Sequence, residues 1–180
     1  MNLFKALPSA LSAVRVVAMP FVVSAILEGD REAALVICLV AGPTDFFDGY
    51  LARRFGWTSR AGAWLDAVAD KVLLSGIFLA FWKAAMTPGW LVAMIFGRDL
   101  LILSMAGIGL AFTPIRDFPP SVWGKLSTNV QIVTVLVVLV GSAAAVTASI
   151  WTCAAATGFS GFHYFYSGIR RLEQLRRKAD

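Results

Sequence analysis

The stretch from Asp45 to Asp70 decides the fold and the chemistry of this chain; it reads DFFDGYLARRFGWTSRAGAWLDAVAD. Two sets of residues in it recur at helical spacing, so that each set shares one face of a helix. The first set is Asp45, Asp48, Gly49 and Ala52, and the second is Gly62, Asp66 and Asp70. Two helices joined by a polar turn at residues 56–60 could therefore bring four carboxylates to one small volume.

Four carboxylates in one apolar volume cannot all stay ionised unless cations accompany them. Oxygen ligation of a divalent ion is the simplest arrangement, and hard Mg²⁺ or Mn²⁺ suits carboxylate ligands. A salt-bridge network with buried Arg and Lys is the structural alternative. Carboxylates inside a membrane are costly and are usually functional, which favours the metal site.

The spacing Asp45-x-x-Asp48-Gly49-x-x-Ala52-Arg53, eight residues, then Gly62-x-x-x-Asp66-x-x-x-Asp70 resembles the signature of the CDP-alcohol phosphotransferase family without a departure. The resemblance implies an integral membrane enzyme with a two-metal site. Such an enzyme binds a CDP-linked donor, here CDP-diacylglycerol, and transfers its phosphatidyl group to an alcohol with release of CMP. A second segment, Leu7–Arg15, resembles the family's opening motif, but Ser9 and Ser12 replace an asparagine and a threonine there.

The resemblance also implies roles for individual residues. Asp45, Asp48, Asp66 and Asp70 would hold two Mg²⁺ or Mn²⁺ ions, and Asp70 would also accept the proton of the alcohol. Spacing alone leaves Asp66 and Asp70 equivalent as the base. The donor would be bound by Asp45, Gly49, Ala52, Arg53, Ser59 and Gly62. Close helix packing is the alternative for the small residues, and an interfacial position is the alternative for Arg53.

Composition indicates a membrane protein. The 180 residues are 58% hydrophobic, and the mean hydropathy is +0.74, which is high for a soluble globule. The net charge of +5 comes from basic residues in short loops and a tail, so anionic lipid headgroups are expected as partners rather than nucleic acid. The length predicts one domain over residues 1–180.

Six apolar segments predict an all-α integral membrane fold with six transmembrane helices and short cytoplasmic termini, since each has close to the roughly 20 residues that span a bilayer. They are Ala10–Leu27, Ala33–Leu51, Gly62–Ala85, Trp90–Phe112, Leu126–Val146 and Ala148–Gly168. A short cytoplasmic helix or a disordered end is expected for the tail Arg170–Asp180.

Basic residues predict the orientation. Eleven of them fall at one set of helix ends, including Arg53, Arg54 and Arg60, whereas only Arg31 and Lys83 fall at the other. Basic residues accumulate on the cytoplasmic side, so both termini and the active site are expected there, in a bacterial-type inner membrane. The family resemblance implies a homodimer.

The acceptor site is predicted from Arg98, Arg116 and Lys125, which together could bind a phosphate. Arg98 lies inside the fourth apolar segment, at a depth where charges usually serve a purpose. Arg116 and Lys125 are placed in a proline-bearing loop, Thr113–Lys125, where a water-facing charge is an equal alternative for Arg116. Gly97-Arg98-Asp99 and Gly124-Lys125-x-x-Thr128 resemble segments of phosphatidylglycerophosphate synthases and single-motif cardiolipin synthases. The resemblance favours glycerol 3-phosphate as acceptor, with phosphatidylglycerol as the alternative.

Two other classes of protein, transporters and scaffolds, fit the sequence less well. A divalent-cation transporter would need polar groups across the whole membrane, whereas the far half of the predicted bundle is apolar, and it has no evident use for Arg53. A membrane scaffold has no use for clustered carboxylates. The enzyme hypothesis is therefore preferred.

Overall fold

The computed structural model describes residues 7–40, 60–112 and 122–179, and within them the side chains of residues 16–40, 71–105, 122–168 and 170. These ranges contain helices and no strand, which confirms the predicted all-α class. The helices are α1 Leu7–Glu28, α2 over residues 31–40, α3 Arg60–Lys83, α4 Gly89–Phe112, α5 Val122–Val140 and α6 Ala143–Ala179.

The helix breaks fall where turn residues predict them. After α1, Gly29 adopts a left-handed conformation with φ of 80°, which glycine tolerates without steric cost. Asp30 then caps α2, since its Oδ1 accepts a hydrogen bond from the backbone N–H of Ala33 at 2.9 Å, as N-cap carboxylates do. The predicted break near Gly141–Thr147 is also confirmed, because α5 ends at Val140 and α6 begins at Ala143.

One prediction of local structure was wrong. Lys125 was placed in the loop Thr113–Lys125, whereas it lies in the first turn of α5, which begins at Val122. The tail Arg170–Asp180 was expected to be a short helix or a disordered end, and the structure shows it helical as far as Ala179, as the continuation of α6. Arg116 and the other residues of 113–121 lie outside the described residues.

The chain divides into two compact units, of which the first comprises residues 1–87 and 135–141. In this unit α1 packs against α3. The contact is close at Gly76, where an added Cβ would lie 3.2 Å from the Cγ of Met19. Phe78 and Phe81 are fully buried and meet edge to face with ring centroids 6.2 Å apart.

The second unit comprises residues 88–134 and 142–180, and in it α4 packs against α6. Leu91 and Ile95 of α4 are buried, and the side chain of Met94 lies against Gly158 of α6. This division into packing units does not test the expectation of a single domain, which stays a prediction.

Two helices are long and apolar enough to cross a membrane by length and composition, Val122–Val140 and Ala143–Gly168. A shorter apolar stretch covers Val16–Glu28. Only the described residues enter this comparison, so the count of six transmembrane helices and the cytoplasmic termini stay predictions.

Candidate functional site

Helix α3 carries the second half of the predicted metal site. Gly62, Asp66 and Asp70 all lie within the continuous helix Arg60–Lys83, so four-residue steps place them on one face, one turn apart. This confirms the helical spacing on which the metal-site prediction depends for these three residues.

The first half of that site lies outside the described residues. Asp45, Asp48, Gly49, Ala52, Arg53 and Ser59 all fall between residues 41 and 59. Among the side chains that the structure describes, no group of three or more His, Cys, Asp or Glu residues is placed to hold a metal ion. The four predicted carboxylates are not among those side chains, so their roles as metal ligands stay predictions.

Arg98 is a buried cation in the middle of α4. It is 6% exposed, and its Nη1 forms an ion pair with Oδ1 of Asp99 at 2.7 Å. Its Nη2 donates hydrogen bonds to Oγ of Ser160 at 3.1 Å and to the carbonyl of Gly124 at 3.3 Å. Three helices therefore hold one guanidinium.

One N–H of this guanidinium is left without an acceptor. The Nε of Arg98 is buried and has no hydrogen-bond partner among the described residues. A buried unsatisfied donor costs free energy, and more when it belongs to a charged group. An anion that accepts a hydrogen bond from Nε would remove this cost, because guanidinium edges match phosphate oxygens.

Gly124 is the point of closest approach between α5 and this guanidinium. A Cβ added there would lie 2.8 Å from Oη of Tyr164 and 3.3 Å from Nη2 of Arg98. Only a residue without a side chain fits this position without displacing a neighbour. Gly161 of α6 lies alongside as well, with its ideal Cβ position 3.6 Å from Cγ of Arg98.

Lys125, the second predicted acceptor residue, follows Gly124 in sequence, but its side chain is exposed. The third, Arg116, lies outside the described residues. Of the three candidates, Arg98 is therefore the one that the structure shows in a buried, hydrogen-bonded environment.

A polar seam, defined here as Ser127, Gln131 and Thr134 of α5 with Thr157 and Ser160 of α6, continues from this cluster. All five are at most 1% exposed. The hydroxyl of Thr157 accepts hydrogen bonds from Ser127 and Gln131, each at 3.4 Å.

This seam was not predicted from the sequence, and Ser160 was not among the predicted site residues. A detectable signal was present, since the α5 members recur at steps of three to four residues within an otherwise apolar helix.

Comparison with known proteins adds the family. A family model described as CDP-alcohol phosphatidyltransferase matches residues 5–159, which include every residue of the motif from Asp45 to Asp70. A probable phosphatidylglycerophosphate synthase of Mycobacterium tuberculosis is 32% identical over 96% of this chain and 86% of its own length.

Two further relatives are named for different activities. A CDP-diacylglycerol–glycerol-3-phosphate 3-phosphatidyltransferase of Sodalis glossinidius is 32% identical over 92% of this chain and 96% of its own length. The cardiolipin synthase (CMP-forming) of Rattus norvegicus is 28% identical over 96% of this chain. The chain spans 64% of that rat protein and 45% of a probable Drosophila melanogaster cardiolipin synthase.

Proposed function

Because the chain belongs to the CDP-alcohol phosphatidyltransferase family, we propose that it transfers the phosphatidyl group of CDP-diacylglycerol to the hydroxyl of glycerol 3-phosphate. In this reaction the acceptor oxygen bonds to the lipid-side phosphorus, the bond from that phosphorus to CMP breaks, and the acceptor loses its hydroxyl proton. The product is a phospholipid precursor. The observation that carries the proposal is helix α3, which holds Gly62, Asp66 and Asp70 on successive turns of one face.

Two Mg²⁺ or Mn²⁺ ions are proposed at Asp45, Asp48, Asp66 and Asp70. The donor set fits such ions, since all four residues are carboxylates and two of them lie one turn apart on α3. Bound there, paired divalent ions neutralise pyrophosphate oxygens and stabilise the charge that develops on the leaving group.

Asp70 is proposed as the group that accepts the proton of the acceptor hydroxyl. The family resemblance assigns this role, whereas spacing on α3 treats Asp66 and Asp70 alike. A general base must lie within hydrogen-bond reach of the hydroxyl whose proton it accepts, which a carboxylate beside the bound donor would do.

The remaining donor contacts follow the motif. Gly49, Ala52 and Gly62 are proposed to let the cytidine approach the helix backbone, as residues without large side chains permit. Arg53 is proposed to bind the donor phosphates through its guanidinium, with Ser59 as a further contact to the nucleotide.

The acceptor phosphate is proposed to bind Arg98, with Lys125 and Arg116 as further positive charges. The support for Arg98 is its burial and its unpaired Nε. A phosphate bound to this edge would accept a hydrogen bond from Nε, the one guanidinium nitrogen of Arg98 that has no acceptor among the described residues.

The setting proposed for the reaction is a bacterial-type inner membrane, with six transmembrane helices and with both termini and the active site on the cytoplasmic side. The asymmetry of basic residues supports this orientation. The apolar spans Val122–Val140 and Ala143–Gly168 support membrane insertion. A homodimer is proposed from the family resemblance.

A second candidate is cardiolipin synthesis, with phosphatidylglycerol as the acceptor. The match to the rat cardiolipin synthase, which covers 96% of this chain, favours keeping it. It differs from the first proposal only in the acceptor, so one assay separates the two.

The test uses the purified full chain in detergent with CDP-diacylglycerol and Mg²⁺ or Mn²⁺. CMP and lipid product are measured with glycerol 3-phosphate, phosphatidylglycerol, serine, inositol phosphate or no acceptor. We expect CMP release that needs glycerol 3-phosphate and stops when a chelator removes divalent ions. Turnover only with phosphatidylglycerol would favour the second candidate, and no release with any acceptor would overturn both.

A further inference from the structure

Arg98 has a single contact within its own helix that fixes one end of its guanidinium. The ion pair to Asp99 joins neighbouring residues of α4 through Nη1. One contact at one nitrogen leaves the planar group free to pivot about that point. Arginine side chains have many rotamers, so their orientation must be fixed by further contacts.

The further contacts come from two other helices and meet at Nη2. Ser160 of α6 and the carbonyl of Gly124 in α5 both accept hydrogen bonds from this nitrogen. Ser160 is fully buried, so its hydroxyl oxygen is shielded from water and its hydrogen bond to a cation is correspondingly strong.

We propose that Ser160 is a positioning residue, whose hydroxyl holds Nη2 of Arg98 so that the Nε edge is presented to the phosphate of the acceptor. The inference rests on the proposed function of Arg98 in acceptor binding. Ser160 acts through Arg98 and does not itself touch the substrate. The ligand class at this edge is a phosphate ester with an oxygen free to accept from Nε.

A positioning role makes a specific kinetic prediction. Removing the hydroxyl leaves the positive charge of Arg98, its ion pair and the hydrogen bond to Gly124 in place, but removes the shorter of the two hydrogen bonds that orient Nη2. Binding of acceptor phosphate then weakens, whereas binding of CDP-diacylglycerol is unaffected. The KM for glycerol 3-phosphate should rise about tenfold, the scale of one hydrogen bond to a charged group.

The experiment compares Ser160→Ala with Ser149→Ala in the purified full chain. Ser149 is a matched control, because it lies on the same helix and its hydroxyl bonds to the backbone carbonyl of Val146 in that helix. CMP release is measured against glycerol 3-phosphate at saturating donor, and against donor at saturating acceptor. Only the acceptor KM of Ser160→Ala should change.

A variant of similar side-chain volume shows whether the change in acceptor KM comes only from a packing defect at residue 160. Ser160→Cys keeps nearly the same side-chain size, but sulfur is a weak hydrogen-bond acceptor. It should show the same rise in acceptor KM as Ser160→Ala. A normal acceptor KM in Ser160→Cys would overturn the positioning role, as would an equal rise in the donor KM.

Arg98→Gln distinguishes the positioning role of Ser160 from the proposed binding of the acceptor phosphate by Arg98. If Arg98 binds the acceptor phosphate, Arg98→Gln raises the acceptor KM, and adding Ser160→Ala produces no further rise, since the two residues act as one unit. An unchanged acceptor KM in Arg98→Gln would overturn the proposed acceptor site. A rise in Arg98→Gln with none in Ser160→Ala, or additive effects in the double variant, would overturn only the role of Ser160.

Discussion

Gly124→Ala tests the packing around Arg98 most directly, because it adds one methyl group at a known place. The new Cβ would lie 2.8 Å from Oη of Tyr164, 3.1 Å from Cε2 of the same ring and 3.3 Å from Nη2 of Arg98. A carbon within 3.0 Å of a non-bonded oxygen cannot be accommodated, so the phenol must move. The guanidinium must also yield by a few tenths of an ångström.

The size of the effect follows from two opposing terms. Adding a methyl to a filled site costs about 1–3 kcal/mol, whereas alanine is favoured over glycine in a helix interior by up to about 1 kcal/mol. The net loss in the free energy of unfolding should therefore be about 0–2 kcal/mol. The hydrogen bond from Nη2 to the carbonyl of Gly124 is already 3.3 Å long, so a small displacement would break it.

Gly124→Ala should also weaken binding of the acceptor. If displaced, Arg98 loses one of its two Nη2 acceptors, and the acceptor KM should rise about 3- to 10-fold, the scale of a weak hydrogen bond to a charged group. The assay is steady-state CMP release with varied glycerol 3-phosphate, with chemical unfolding in detergent micelles as the stability measurement.

Gly97→Ala is the matched control. Gly97 precedes Arg98 on α4, yet a Cβ added there meets nothing within 4 Å. Its acceptor KM should be normal and its stability unchanged or slightly higher. Adding Tyr164→Phe to Gly124→Ala removes the oxygen at 2.8 Å and should restore part of the loss. Identical behaviour of Gly124→Ala and Gly97→Ala would refute the packing argument.

Three further predictions address other parts of the chain. Thr157→Val removes the hydroxyl that accepts hydrogen bonds from Ser127 and Gln131 in the polar seam, and it should lower the free energy of unfolding by about 1–2 kcal/mol. The control is Thr152→Val, because the exposed hydroxyl of Thr152 bonds to a backbone carbonyl of its own helix. This control should have little effect in the same denaturation assay. Asp70→Asn should abolish CMP release and leave CDP-diacylglycerol binding and folding nearly intact, so near-normal turnover would exclude Asp70 as the base. Ala85→Gly should stabilise the fold by up to about 1 kcal/mol, because Ala85 has φ of 55° and glycine adopts this conformation at no steric cost; an unchanged unfolding transition would contradict this.

The sequence predicted the parts of the fold that depend on local chemistry. Trp90–Phe112 was expected as a helix and is observed as Gly89–Phe112, because turn residues flank a run that is apolar apart from Arg98 and Asp99. Gly62, Asp66 and Asp70 were expected on one helix face for the same local reason. The choice of Asp70 as the base followed only from the family motif, whereas clustered carboxylates by themselves indicated a metal site.

Long-range contacts could not be predicted in the same way. That Arg98 would be held by Ser160, 62 residues away, depends on how α4 and α6 pack against each other. Sequence indicated that a charge within an apolar helix needs partners, but not which residues supply them. Lys125 was predicted as an acceptor residue from its position next to an apolar span, and the structure shows its side chain exposed.

Helix α6 shows why a fall in hydropathy is a poor guide to where a helix ends. The apolar span Ala143–Gly168 gives way to a basic tail, and this change placed the end of the predicted transmembrane segment at Gly168. Helix formation depends instead on backbone propensity, and the residues after Gly168 include leucine, arginine, glutamate and glutamine with no further glycine or proline. The helix therefore continues to Ala179, about 16 Å beyond the apolar span at 1.5 Å per residue. The basic segment is therefore part of the same helix as the apolar span and is not joined to it by a turn.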